Sequence, residues 1–319
     1  MGSAKPSGKH TASLGFALCL ANTIPNKREE AILKRLKGCW PLFAGLMLVC
    51  FSIKAGYAEL GAESKKLATE DAPTVGKGVL EMNLGYTFSR ATSSWGKDWE
   101  TLHREELGEH WIEPAMTFGF TQDLDAWLSV GYADLRDLDS SPDNGGGVTN
   151  LDFGLKWGAI QDDEKGLYLS WLNGFTAPTG RYETESHLGP GDRFWSYNTG
   201  LVLTKGFLER WVLDIDMFGS LAFGEHREND RGSLGVNTAV GYALFDCIQP
   251  EIELNYEHGF MRKDHDSDVL AVTAGVICPV EKWNLIIGLG AQQGIAGRCE
   301  DKKTSALLSV TYSFQTNIL

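Results

Sequence analysis

The sequence predicts an all-β protein: a closed, antiparallel, up-and-down transmembrane β-barrel of about twelve strands. Three features predict it. Side chains alternate between apolar and polar with a period of two, connections alternate between long and short, and the chain begins with a secretory signal. Together they indicate a protein of the bacterial outer membrane.

The alternation is clearest between residues 148 and 182. One face of the first run carries apolar or small side chains, namely Leu151, Phe153, Leu155, Trp157 and Ala159. Asp152 and Lys156 lie on the opposite face. In a soluble sandwich the apolar face would meet a second sheet, whereas in an outer membrane it would meet lipid. Recurrence of the pattern and the export signal favour lipid.

The same period recurs along the rest of the chain. It predicts strands at 80–88, 112–120, 128–132, 151–159, 167–171, 197–203, 213–221, 234–242, 252–256, 270–278, 285–291 and 306–314. These twelve are an even number within the range of bacterial outer-membrane barrels. After residue 58 we find no apolar period of 3.6 residues, so no long helix is expected.

The connections alternate in length, as outer loops and periplasmic turns do in such barrels. Long, polar connections are predicted near 90–109, 135–147, 178–192, 224–232, 261–267 and 296–303. Short turns are predicted near 121–125, 161–166, 205–210, 246–249 and 279–283. The fold of a soluble sandwich does not require long and short connections to alternate along the chain. Aromatic residues near the strand ends predict a girdle at the membrane interfaces; they are Trp95, Trp99, Trp111, Trp195, Trp211, Trp283, Tyr312 and Phe314.

The N-terminal region predicts export. Basic residues 34–37 precede an apolar run at 40–53 and small residues at Gly56 and Ala58, which indicates a signal peptide cleaved before Glu59. A membrane anchor is the alternative, but the run is shorter than the ~20 residues that a spanning helix needs. We therefore divide the chain into 1–58 (extension and signal), 59–76 (periplasmic lead-in), 77–314 (barrel) and 315–319 (tail).

The charge distribution limits the possible partners. The first 58 residues hold eight Lys/Arg and two Asp/Glu, which leaves 21 Lys/Arg and 40 Asp/Glu, a balance of −19. Such a surface disfavours nucleic acid. The expected partners are outer-membrane lipid and a small-molecule solute, with the chain as a monomer, and we expect no cofactor. Among the cysteines, Cys247 and Cys278 lie near one predicted turn, where either a disulfide or two separate thiols is compatible with the sequence.

One motif carries a family resemblance. Pro178, Thr179, Gly180, Arg181 and Tyr182 stand where the fifth predicted strand enters its outer loop. With the Gly- and aromatic-bearing strands over 77–314, this motif resembles the family of outer-membrane transporters named for the meta pathway of phenol degradation. The resemblance implies a channel for small, often hydrophobic or aromatic compounds. The segment 308–314 also resembles the C-terminal signal read by the barrel-assembly machinery, although residues 315–319 trail past it.

The polar face of the strands predicts the lining of the lumen. It comprises eight acids and one lysine: Glu81, Glu113, Asp152, Lys156, Asp214, Asp216, Glu251, Glu253 and Glu257. Such a lumen would favour cations. Alternatively, a network between Lys156 and the acids would plug the pore, or the charges are simply solvated. The loop at 178–192 is a candidate lid or constriction.

Other functional classes are weaker. His103, Glu105, Glu106, Glu109 and His110, and separately Asp137, Asp139, Asp143 and Asn144, have no recognised metal-ligand spacing. Ser186-His187 and Asp264-His265-Asp266 have the composition but not the order of known membrane hydrolases. We therefore expect no enzyme. The main alternative to a channel is a non-conducting barrel whose outer loops bind a partner.

Overall fold

Twelve long strands form the wall of the protein. A computed structural model describes residues 65–140, 142–184, 186–224, 230–245, 247–262 and 265–316. The strands are β1 (Val79–Trp95), β2 (Thr101–Gly119), β3 (Leu124–Asp137), β4 (Asn144–Asp162), β5 (Leu167–Ala177), β6 (Trp195–Phe207), β7 (Trp211–Phe223), β8 (Asp230–Tyr242), β9 (Gln249–Met261), β10 (Ser267–Val280), β11 (Leu285–Arg298), the short β12 (Glu300–Asp301) and β13 (Thr304–Gln315). A 3₁₀ turn at Glu281–Trp283 precedes β11. The predicted signal peptide lies outside the described residues.

The sheet closes on itself. Each long strand pairs antiparallel with its neighbours in the sequence, and β1 pairs with both β2 and β13. The closing ladder runs from Val79 opposite Gln315 to Arg90 opposite Thr304. A closed sheet has no free edge, so every strand has its backbone groups paired on both sides. The predicted twelve-stranded, up-and-down barrel is confirmed.

The two faces of the wall have the burial expected of a membrane protein. Leu155 and Trp157 are 49% and 51% exposed, whereas Lys156 between them is 6% exposed. Leu84, Ile112 and Leu254 are likewise exposed, while Asp125, Asp214 and Glu253 are fully buried. Exposed apolar and buried charged side chains are the reverse of a soluble core. The wall therefore faces lipid outward, and the alternative of a soluble sandwich is wrong.

The aromatic girdle is only partly as predicted. Trp195 stacks with Phe223, and Trp211 lies against Phe207 and Tyr242 near the strand ends. Trp95 is instead buried against Gly294 and Gly297 of β11, and Trp111 shares the inner face with Glu109, to which its indole N–H donates. Alternation, rather than position near a strand end, decides which way a ring points.

The outer ends of the strands extend further than predicted. The expected loop at 90–109 is mostly strand, since β1 continues to Trp95 and β2 begins at Thr101. Arg104 stabilises this extension, because its guanidinium forms ion pairs with Asp137 and Asp301 on two other outer connections. Within the described residues no helix is long and apolar enough to cross a bilayer. Cys247, Cys278 and Cys299 are free thiols, so the possible 247–278 disulfide is absent.

Candidate functional site

The N-terminal residues before β1 lie inside the barrel. We call residues 65–76 the inner hoop. They were predicted to form a periplasmic lead-in, but they bond to the inward-facing side chains of the wall. In barrel order the hoop meets Glu81 of β1, Gly288 and Gly290 of β11, Gly275 of β10, Glu253 of β9, Asp216 of β7, Thr204 of β6, Ser170 of β5, Lys156 of β4, Asp125 of β3 and Gly119 of β2.

The dimensions agree with a ring inside the wall. Twelve extended residues span about 40 Å. Twelve strands spaced ~4.8 Å and tilted ~40° give a wall circumference of roughly 75 Å. The two circles differ in radius by roughly 6 Å, which is about the reach of one side chain. The hoop therefore traces the inner wall, at the distance that side-chain contacts require.

The wall acids hold the hoop mainly through its backbone. The N–H of Leu67 donates to Glu253 at 2.9 Å and to Glu251 at 3.2 Å, and the N–H of Ala68 donates to Glu253 at 3.1 Å. Further along, the N–H of Glu70 donates to Asp216 at 2.8 Å. Charged acceptors make strong hydrogen bonds with N–H donors. Among the described residues, the hoop has no neighbouring strand whose carbonyl groups could accept its backbone N–H groups. The carboxylates of these wall acids accept them instead.

The hydrogen bonds from the hoop to β3 and β6 also use backbone N–H donors. The N–H of Val75 donates to Asp125 at 2.9 Å. The N–H of Ala72 donates to the Thr204 hydroxyl at 2.9 Å. Because these bonds use backbone donors, they place no requirement on the side chains of the hoop. This explains why the amino-acid pattern of residues 65–76 does not show that the segment binds the wall.

Lysines form ion pairs with some of the acids at this level. Lys66 Nζ lies 3.0 Å from Asp214, and both side chains are fully buried. Lys65 Nζ lies 2.9 Å from Glu81 and 3.3 Å from Asp71. Burial alone would lower the pKa of Lys65, but the charges of Asp71 and Glu81 hold that pKa well above its ordinary value. Lys65 therefore stays charged, and it links Glu81 of the wall to Asp71, which lies further along the hoop.

Lys156, the predicted inward lysine, also binds the hoop. Its Nζ donates to the carbonyl oxygen of Asp71 at 2.6 Å and lies 3.6 Å from the Asp71 carboxylate. A network between Lys156 and the inward acids was one alternative drawn from the sequence. The partners of Lys156 are instead the carboxylates of Glu70 and Asp71 and the carbonyl of Asp71, all in the N-terminal segment.

An apolar contact anchors the hoop on the opposite side of the ring. The side chain of Leu67 sits over Gly275, Gly288 and Gly290, where Cβ atoms would lie 2.2, 2.8 and 2.3 Å from it. Any side chain at Gly275 or Gly290 would thus occupy the space of Leu67. We call these three glycines the glycine socket. The period of two along β10 and β11 places these glycines on the inner face, but it does not indicate that Leu67 fills the space above them.

The predicted site residues therefore form two groups. Glu81, Lys156, Asp214, Asp216, Glu251 and Glu253 contact the hoop near the periplasmic turns. Asp152 instead accepts from the Thr176 hydroxyl, and Glu113 and Glu257 are exposed to the lumen. In the outer loop, burial and the nearby charges of Asp230 and Asp152 raise the pKa of Asp192.

The loop motif docks on β4. Thr179 Oγ1 accepts from the N–H of Leu151 at 3.0 Å, and the N–H of Gly180 donates to Asn150 Oδ1 at 3.0 Å. The N–H of Arg181 donates to the carbonyl of Val148 at 2.8 Å. Tyr182 stacks beneath the Arg193 guanidinium at 4.0 Å. The motif therefore fixes the start of the outer loop to the wall.

The weaker candidates do not converge. Glu109 points inward to Lys303 at 3.0 Å, whereas His110 bonds Tyr86 and packs on Phe88 on the lipid side. Asp137 is bonded to Arg104. Among the described residues no group of three or more His, Cys, Asp or Glu is arranged to hold a metal ion.

Comparison with known proteins adds the family. The family described as "Putative MetA-pathway of phenol degradation" matches residues 107–298. The chain belongs to this family. The resemblance drawn from the Pro-Thr-Gly motif is thus confirmed. A search of curated proteins finds no match.

Solved structures support the fold. An outer membrane channel from Pseudomonas putida F1 matches with a TM-score of 0.68 at 14% identity, covering 78% of this chain and 100% of that chain. The P. putida toluene transporter TodX matches with a TM-score of 0.40 at 10% identity, covering 81% and 98%. The NanC porin has a TM-score of 0.46 at 7% identity, covering 72% and 98%. The first neighbour shows the barrel fold.

Proposed function

We propose that the protein is an outer-membrane channel for the passive passage of small molecules, hydrophobic or aromatic ones in particular. The observation that carries this proposal is a closed wall with lipid-facing apolar residues and a lumen lined by polar and small side chains. Membership of the phenol-degradation family supports the substrate class. The inner hoop is the proposed constriction, because it follows the inner wall as a ring close to the periplasmic turns and so narrows the lumen there.

The proposed acidity of the path is partly balanced at the hoop. There, the charges of Asp214 and Glu81 are matched by Lys66 and Lys65, whereas Asp216 and Glu253 accept from backbone N–H groups. Further out, Glu113 and Asp152 face the lumen. A preference for cations over anions would thus arise both at the hoop and above it.

A second candidate function is a non-conducting barrel. It is favoured by one observation, the bonds of Lys65 to both Glu81 and Asp71, which join the wall to a distant part of the hoop. In this alternative the hoop stays in place, and the outer loops bind a partner. The loop that begins at Thr179 would then be a docking surface instead of a lid.

Planar-bilayer recordings separate the two candidates. The test compares the wild-type protein with Lys66→Gln, which leaves Asp214 buried without its cation and loosens the hoop by about 3–5 kcal/mol. Lys165→Gln is the matched control, since it removes an exposed ion pair with Asp162 on a periplasmic turn. We expect unitary steps from the wild type, larger steps from Lys66→Gln and wild-type steps from Lys165→Gln.

The opposite results have distinct meanings. A wild type and a Lys66→Gln variant that both insert but never conduct would contradict the channel and favour the non-conducting barrel. Equal steps from wild type and Lys66→Gln would retain the channel but contradict the hoop as its constriction.

A further inference from the structure

The lipid-facing surface of β1, β2 and β3 carries two arginines near the outer ends of these strands. Arg90 pairs with Gly108 of β2, and Gly108 pairs with Arg136 of β3, so the three residues lie side by side across the sheet. Strand alternation places them on the same face as Leu84 and Ile112, which are exposed to lipid. We call Arg90, Gly108 and Arg136 the arginine row.

The arginine row lies where the apolar surface of the wall ends. Arg90 is eleven residues from the first residue of β1, Gly108 is eleven from the last residue of β2, and Arg136 is twelve from the first residue of β3. At ~3.4 Å per residue and a tilt of ~40°, this is a rise of roughly 30 Å, just past the ~25 Å apolar band. Below the row, Ile112 and Tyr132 are exposed on the lipid face. The row is therefore level with the headgroups of the outer leaflet.

The two guanidinium groups flank an open gap over Gly108. The Cα atoms of Arg90 and Arg136 are separated by two strand spacings, roughly 10 Å. A Cβ on Gly108 would meet no atom of the described chain within 4 Å, so the space between the arginines is unfilled. Arginine side chains are long enough to reach the middle of this gap from both sides. Their planar guanidinium groups bind phosphate through paired N–H donors.

The arginines keep donors for another acceptor. Arg90 Nη2 donates to Glu106 at 3.0 Å, and the Arg90 side chain is still 57% exposed. A guanidinium has five N–H donors, so this ion pair leaves others on Arg90. Arg136 is exposed and forms no ion pair with a described residue. Both side chains can therefore bind an anion that lies over Gly108.

Two carboxylates and one imidazole also face this region. Glu106 is the partner of Arg90. Asp134 is exposed, lies two residues nearer the bilayer than Arg136, and pairs across the sheet with His110. The charge of Asp134 opposes an anion at the row. Its removal should therefore strengthen anion binding, which gives the site a test of opposite sign.

We propose that the arginine row binds a phosphate group of lipid A, the glycolipid of the bacterial outer leaflet. Lipid A carries phosphate groups on its sugars and acyl chains beneath them. The phosphate would lie over Gly108 and accept from Arg90 and Arg136, while the acyl chains would run along Ile112 and Tyr132. Basic side chains directly above an apolar surface are the arrangement that recognises an anionic lipid headgroup. This site does not depend on passage through the lumen.

Lipid binding tests the arginine row directly. Native mass spectrometry of the folded protein in detergent measures its affinity for lipid A with both phosphates, for the same lipid without phosphates, and for inorganic phosphate. A chelator is present throughout, so no divalent cation bridges the lipid to Glu106 or Asp134. We expect Arg90→Gln and Arg136→Gln each to weaken binding of the phosphorylated lipid about tenfold, the effect of one charged hydrogen bond. Arg210→Gln, at an exposed position in the turn between β6 and β7, is the matched control and should bind as the wild type.

Two further variants keep both arginines. Gly108→Leu fills the gap between the guanidinium groups and should also weaken binding about tenfold. Asp134→Asn removes the opposing charge and should strengthen binding about threefold, as expected for an exposed charge pair. The lipid without phosphates should bind all variants equally.

Three results would overturn the site. Equal affinity of the wild type for lipid A with and without phosphates would exclude a phosphate contact. Wild-type affinity in the double variant Arg90→Gln with Arg136→Gln would exclude the arginines. Inorganic phosphate that binds as tightly as the lipid would assign the row to a free anion. Conductance is not measured in any of these experiments, so their failure would leave the channel proposal unchanged.

Discussion

At the scale of single residues, glycine has two separate uses on the inner face of this barrel. The glycine socket at positions 275, 288 and 290 receives Leu67, and Gly154 and Gly174 receive the ring of Trp127. In each case a missing side chain on one strand provides the space for a side chain from elsewhere. The alternation of the sequence shows that these glycines point inward. The identity of the side chain that fills the space depends on contacts distant in the sequence.

Filling the socket should release the hoop. In Gly290→Ala the new Cβ would lie 2.3 Å from Leu67 Cδ1 and 2.9 Å from the carbonyl oxygen of Ala274, so the leucine side chain must shift. Leu67 is half-buried, so losing its contact costs less than the ~1.5–3 kcal/mol of a fully buried leucine. We expect trypsin to cleave after Lys65 or Lys66 faster than in the wild type, as measured by mass spectrometry of the folded barrel.

Two further variants make this test specific. In Gly85→Ala the new Cβ meets its nearest atom at 3.7 Å, an ordinary contact, so the cleavage rate should not change. Leu67→Ala alone removes the leucine contact without any clash and should speed cleavage about as much as Gly290→Ala. Equal cleavage of wild type and Gly290→Ala would show that the socket does not hold the hoop.

At the scale of elements, the strands were predicted well and their outer ends were not. Every predicted strand is present, because the period of two extends over the part of each strand that crosses the membrane. Beyond lipid the pattern stops, but β1 and β2 continue as a hairpin that Arg104 ties to neighbouring connections. Alternation of apolar and polar residues indicates a strand only where one face meets lipid and the other a polar lumen. Where both faces meet water, the alternation is absent and the strand cannot be predicted from it.

The Pro-Thr-Gly motif is an element whose role required the coordinates. Thr179→Val should remove the acceptor of the Leu151 N–H and cost about 1 kcal/mol of local stability. We expect faster hydrogen exchange at the Leu151 amide, by about fivefold. Thr179→Ser keeps the hydroxyl and should exchange at the wild-type rate. If Thr179→Val exchanges as slowly as wild type, the loop is held by its other bonds.

At the scale of the whole molecule, the stability of the barrel depends on the solvent that each face meets. Leu155→Arg puts a charge on the lipid face within the apolar run of β4, and we expect it to destabilise the folded barrel by about 2–4 kcal/mol. Leu208→Arg, in the exposed turn after β6, should cost about 0–1 kcal/mol. Urea titration of the protein in lipid vesicles measures both. Equal losses would contradict the assignment of the outer face.

The inner hoop marks the limit of prediction from this sequence. The inward acids were identified correctly by strand period, including Asp214 and Glu253, yet their main partner was missed. Residues 65–76 carry no period, and several of their bonds come from backbone N–H groups that every non-proline residue has. Only the closed shape of the wall brings a segment next to ten strands at once, and that shape is a property of the whole chain.

The hoop also has a consequence for biogenesis. It is synthesised before any strand, yet its contacts reach from β3 to β11, which are synthesised later. All of these contacts can be present together only after the sheet has closed, with β1 paired to β13. The part of the described chain that is translated first therefore acquires its full set of contacts among the last.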